Sequence, residues 1–185
     1  AEGKASGRST LDLLNETARA VPAGSEGVIF LPYMAGERSP IWKPNAKGVF
    51  YGLDFGKTRG HMVRAAMEGV AFSLRHNLET AYEAGANVDV LRAIGGSANS
   101  VLWTQIKADI TGRTIEAMAS DTATTLGAAI LAGIGTGVYE SFEEAVKLCV
   151  RVRRTHTPNP DTRQIYDGNY RRYRELSECL SCFWE

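Results

Sequence analysis

The sequence carries no excess of charge of either sign. Its 185 residues hold 21 Lys and Arg against 21 Asp and Glu, so the net charge is zero with His neutral. That balance excludes the overall basic field of a nucleic-acid binder and an acidic field for cationic partners. Long apolar runs are also missing. The longest, around residues 126–134, falls far short of the roughly 20 residues a helix needs to cross a bilayer. The opening AEGKASGRS has no apolar segment of the secretory kind, so the cytoplasm is the expected compartment. Cysteine is scarce, with only Cys149, Cys179 and Cys182, and three cannot all pair. Cys179 and Cys182 have the CxxC spacing of half a zinc site. No second pair accompanies them, and His61, His76 and His156 are scattered, so the thiols read as buried or idle and no metal site is expected.

What is present is a globular composition, 44% hydrophobic, in a chain long enough for one domain with a sizeable core. Hydrophobic periodicity predicts helices over 9–20, 58–84, 99–111, 123–133, 141–149 and about 160–180. The longest carries Val63, Met67, Val70, Leu74, Leu78 and Ala81 at three- and four-residue spacing, with Gly85 placed as its C-terminal stop. Short strands are predicted at 27–32, 48–53, 90–94, 114–117 and 150–155, and a long proline-bearing loop fills 32–48. Strands alternating with helices over residues 1–185 read as one α/β domain.

Two motifs are read as structural. The glycines at 133, 135 and 137 mimic a dinucleotide fingerprint, but that fingerprint follows a strand and these follow a helix. The segment YRRYR is basic and aromatic. Yet Tyr166, Tyr170, Tyr173, Leu176 and Leu180 recur as one helical stripe, which docks the tyrosines on a core and leaves Arg171, Arg172 and Arg174 to solvent.

The turn in AIGGSANSVLWTQIKADITG, residues 93–112, has a different context. A strand enters a helix through Gly95, Gly96, Ser97, Ala98, Asn99 and Ser100. Glycines let a ring or a phosphate lie against the main chain, and the helix start adds partial positive charge. No Lys follows, so this is not a Walker A loop. A ligand site and an ordinary tight turn both remain open on spacing alone. A second turn of small residues, through Asp121, Thr122 and Thr124 into Leu126-Gly127-Ala128-Ala129, would flank a shared crevice at the strand carboxyl ends.

These residues resemble the FGGY carbohydrate kinases. GVFYGLDFGKTRGHMVRAAMEGVAFSL matches that family's C-terminal signature: Gly48, Phe50, Gly52 and Leu53, then His61 and Met62, then Ala65-Ala66-Met67-Glu68. IGGSANSVLWTQIKADITG is similar to the family's adenosine motif, TTLGAAILAG to the helix beside it, and FLPYMAGERSP to the loop of its xylulose-specific members. The resemblance spans about residues 9–180. It implies an actin-like, ribonuclease-H-like ATPase fold in which this chain is the second, C-terminal domain, opening after that domain's first strands. It implies ATP with nucleotide-borne Mg²⁺, a small sugar, preferably a pentulose such as xylulose, a separate N-terminal domain, and room for a homodimer. Neither nucleic acid nor membrane is implied.

Within that resemblance Gly95, Gly96, Ser97 and Ser100 are the candidate adenosine contacts, and Asn99 is expected to cap the next helix. Glu68 and Asp109 are weighed as bases against structural pairing. Glu37 and Arg38 are weighed as cleft-lining groups against a salt bridge. The catalytic carboxylate and both phosphate loops are expected outside this chain, which alone should be inactive. A non-catalytic actin-like nucleotide-binding or interaction module is the alternative.

Overall fold

The computed structural model describes residues 9–120 and 122–185, so Asp121 lies outside the described residues. Helix α1, Thr10–Arg19, starts where the Ser9 hydroxyl accepts the Leu11 amide, with Asp12 in its first turn and Arg19 in its last. Strand β1, Ile29–Leu31, pairs antiparallel with β2, Val49–Tyr51, across the long loop. Helix α2, Arg59–Glu83, is the spine of the molecule. Gly85, in left-handed conformation just past its end, donates its amide to Tyr82 and stops it as expected.

The buried face of α2 is not the one apolar periodicity suggests. Arg64, Met67, Glu68, Ala71 and Phe72 are buried, whereas Val70 of the apolar stripe is exposed. The helix turns a polar pair inward because that pair is satisfied there, a contact invisible to a hydrophobicity pattern. Gly69 sits against β1, where an added Cβ would overlap the Phe30 carbonyl oxygen.

A second sheet has the order β3-β4-β5: Val90–Ala93, Thr114–Met118 and Val152–His156. β3 and β4 are parallel, with Val90 opposite Thr114 and Ala93 opposite Ala117, and β5 is antiparallel to β4. Helix α3, Val101–Thr111, makes the β3-to-β4 crossover, and Gly112 in left-handed conformation ends it. Helices α4, Ala123–Gly135, and α5, Phe142–Cys149, lead from β4 to β5. Gly133 and Gly135 lie inside α4 and Gly137 follows it, so the three glycines belong to a helix end.

Helix α6, Arg163–Cys179, closes the core. Tyr166, Tyr170 and Tyr173 are buried against Phe72, while Arg171 and Arg172 face solvent. Arg174 is less free than its neighbours, lying 3.4 Å from the Tyr170 hydroxyl and 3.9 Å from Glu79. The cysteines depart from a buried reading: Cys149 is half-buried, and Cys179 and Cys182 are exposed.

Candidate functional site

Because β3 and β4 run parallel in register, the chain leaves both at the same edge of the sheet. Ile94 after β3, and Ala119 and Ser120 after β4, share a mostly apolar hollow of about 380 Å³ with Ala123, Leu126 and Gly127 of α4. Residues 95–100 of the Gly-Gly turn do not line this hollow, so the crevice expected to be shared by the two small-residue turns is not formed here. A second hollow, about 340 Å³, lies between the start of α1 and the start of α3. Leu11, Asp12 and Asn15 line one wall, and Gly96, Ser97, Ser100 and Trp103 the other.

The Gly-Gly turn opens the wall of this second hollow, with Gly96 and Ser97 on it. Gly95 has φ 80 and ψ −177, a conformation essentially restricted to glycine. Gly96 is different. It begins a 3-10 turn, Gly96–Asn99, and is not among the positive-φ residues. A Cβ on either glycine would meet no atom of the described residues within 4 Å. The backbone thus explains Gly95 on its own, whereas nothing among the described residues explains Gly96.

Cations hold the turn from beneath. Arg154 of β5 donates to the Ala98 carbonyl at 2.7 Å and the Asn99 carbonyl at 3.4 Å. Arg153 donates to the Asn99 side chain, and Lys107 of α3 donates to the Ser97 hydroxyl at 3.1 Å. Three of the four expected contact residues, Gly96, Ser97 and Ser100, line the smaller hollow, and Gly95 enters the turn ahead of them. The three cations escaped the sequence reading because β5 and the middle of α3 approach the turn only in the fold.

Ser100, not Asn99, caps α3. Residues 96–99 are coiled into their own turn, so Val101 is the first α-helical residue and the position before it takes the cap. The Ser100 hydroxyl accepts the Trp103 amide at 3.1 Å and donates to Asn15 at 2.7 Å.

Both weighed acids are engaged by hydrogen bonds inside the fold. Glu68 is buried and accepts from the Gly24 amide, the Ser25 hydroxyl, Arg64 and Tyr166 at 2.8–3.2 Å. Burial pushes its carboxyl up, opposed by Arg64, Ser25 and Gly24. Asp109 accepts from Gln105 and from the Asn159 amide. Glu37 folds onto its own loop, accepting the Arg38 and Ser39 amides, while the Arg38 side chain is exposed.

Residues 1–136 match the C-terminal domain of the FGGY family of carbohydrate kinases. The chain belongs to that family, and its fold is the actin-like ATPase fold of the family's C-terminal domains. It is 32% identical over 181 residues to the xylulose kinase of Bacillus subtilis, across 94% of this chain and 36% of that protein. It is 38% identical over 160 residues to the gluconokinase of Bacillus subtilis, across 84% of this chain and 30% of that one. The crystal structure of ligand-bound xylulose kinase from Lactobacillus acidophilus superposes with a TM-score of 0.86 at 30% identity, covering 97% of this chain and 36% of that one. The chain thus spans about a third of the length of the relatives it matches.

Proposed function

We propose that this chain is a single nucleotide-binding domain of an ATP-dependent sugar kinase, and that a pentulose such as xylulose is its sugar. Gly96 carries the reading. It is a glycine that the backbone does not require, facing open space, at the carboxyl end of a parallel strand pair. Glycine gives up more conformational freedom on folding than any other residue, and an approaching flat ligand supplies the reason for one here. The residues fit ATP, whose ring or ribose would occupy the space that a Cβ would enter. ATP brings the γ-phosphoryl group that passes to a sugar hydroxyl, and Mg²⁺ comes on its phosphates. The described residues include no cluster of three His, Cys, Asp or Glu able to hold a metal.

In this reading Gly95 and Gly96 hold adenosine by allowing close approach. Ser97 adds a hydroxyl, and Ser100 sets the start of α3 against the site. Positioning and charge neutralisation dominate phosphoryl transfer, so a domain that orients ATP needs no base of its own. The engagement of Glu68 and Asp109 inside the fold supports a base on the remaining polypeptide. The relatives named above are enzymes, which favours a kinase over a non-catalytic module.

The sugar is the weaker half of the reading. A xylulose kinase and a gluconokinase resemble this chain comparably, and the loop FLPYMAGERSP tips the choice to xylulose. The test is ADP release by the full-length polypeptide with ATP, Mg²⁺ and, in turn, D-xylulose, gluconate and glycerol. D-xylulose should give the highest kcat/KM. A preference for gluconate or glycerol would remove the pentulose and leave the kinase. Turnover with none of the three sugars would remove both.

A further inference from the structure

We infer that Lys107 is a positioning residue that fixes the Ser97 hydroxyl as a hydrogen-bond donor to the nucleotide. The inference rests on the nucleotide reading of the Gly95–Gly96 turn. Lys107 places its ammonium 3.1 Å from Ser97 Oγ and 4.6 Å from the centroid of the Trp103 ring. Among the described residues it has no carboxylate partner, and burial alone pulls its pKa below the ordinary lysine value.

The chemistry of the pair has one sense only. An ammonium carries three donors and no acceptor, so Ser97 Oγ must accept from Lys107. The serine's own hydrogen is then left to point elsewhere, and Ser97 lines the hollow beside Gly96. Accepting from a cation also polarises the hydroxyl, which strengthens it as a donor. The site therefore reads an acceptor on the ligand: a ribose oxygen, a ring nitrogen or a phosphate oxygen.

The ammonium is itself held in place. Trp103 donates its indole N–H to the Met67 carbonyl of α2 at 3.0 Å, so the ring beneath Lys107 is pinned to the central helix. A chain of contacts thus runs from Met67 through Trp103 and Lys107 to Ser97. Without a counter-ion, a half-buried ammonium is costly to keep for stability alone.

The test uses Lys107→Met, Ser97→Ala and the double variant in the full-length polypeptide, with ATP and sugar varied separately and thermal midpoints recorded. Each single change should raise the apparent KM for ATP about fivefold, the effect of one lost hydrogen bond. The KM for sugar and kcat should hold, and the double variant should be no worse than either single one. Lys107→Arg, which keeps a cationic donor, should recover most of the loss. Additive losses in the double variant would mean that Lys107 reaches the ligand without Ser97, which overturns the inference. An unchanged ATP dependence in Lys107→Met also overturns it. If Gly96→Val still raises the KM for ATP in that case, the nucleotide site stands without the relay. If Gly96→Val is silent too, the nucleotide reading falls with it.

Discussion

Arg64 and Glu68, one turn apart on α2, form a 2.8 Å ion pair inside the protein, where Glu68 is 1% exposed. The pair joins four parts of the chain. Arg64 donates to the Val21 carbonyl beyond α1 and to Tyr166 of α6, and Glu68 receives the Gly24 amide and the Ser25 hydroxyl. Ser25 and Glu26 are held at positive φ in that turn, a strain that the Glu68 contacts help to retain. Removing one partner of such a pair strands the other charge, so Glu68→Ala should cost about 3–5 kcal/mol. Glu68→Gln should also lower the urea midpoint. A Glu68→Gln protein of unchanged stability and abolished turnover would instead identify Glu68 as the base.

Gly69 and Gly127 both sit within helices and should respond oppositely to alanine. At Gly69 the new methyl would meet the Phe30 carbonyl of β1, an overpacking expected to cost about 1–3 kcal/mol. At Gly127, in α4, it would meet none of the described residues within 4 Å, and the gain in helix propensity is about 0.5–1 kcal/mol. For a domain of this size, thermal midpoints should move by about 2–4 °C per kcal/mol, down for Gly69→Ala and up for Gly127→Ala. A harmless Gly69→Ala would mean that α2 and β1 pack less closely than described.

His156 should make stability fall on mild acidification. Gln105 donates its amide to Asp109 and the Thr157 carbonyl, which turns its oxygen to His156 Nδ1 at 3.0 Å and leaves buried His156 Nε2 without a partner among the described residues. Burial, then Arg154, lowers the His156 pKa, and Asp109 partly opposes them. A histidine depressed in the folded state binds fewer protons there than when unfolded, so its contribution is full above about pH 6.5 and declines below it. His76, also lowered by burial, acts in the same direction. The thermal midpoint should drop from pH 7.5 to pH 5.5, and His156→Gln should flatten that slope without abolishing it. An unchanged slope would remove His156 from the account.

Much of this fold was legible because its signals are local. The helices over 59–83 and 163–179 announce themselves by periodicity, and Gly85 stops the first through its own backbone freedom. The turn at Gly95 and Gly96 was legible because strand, glycines and helix are contiguous. Contacts between distant residues were not. The inward face of α2 depends on Tyr166, 98 positions beyond Glu68, and no apolar pattern marks a buried ion pair. Ser100 displaced Asn99 as the cap because four small residues coiled into a separate turn, a choice that propensity does not separate from an earlier helix start. Lys107 and Arg154 reach the turn from α3 and β5, so their sequence positions carry no sign of it.

The central claim is that a nucleotide lies against Gly96. Gly95 is a poor probe, because its φ of 80 penalises any side chain whatever binds there. Gly96 has no such constraint and open space before it, so Gly96→Ala and Gly96→Val should leave the thermal midpoint nearly unchanged. The decisive measurement is the apparent KM for ATP and for the sugar in both variants of the full-length polypeptide. The account predicts a rise in the KM for ATP that grows from Ala to Val, with the KM for sugar little altered. A stable Gly96→Val protein with wild-type dependence on ATP would contradict it.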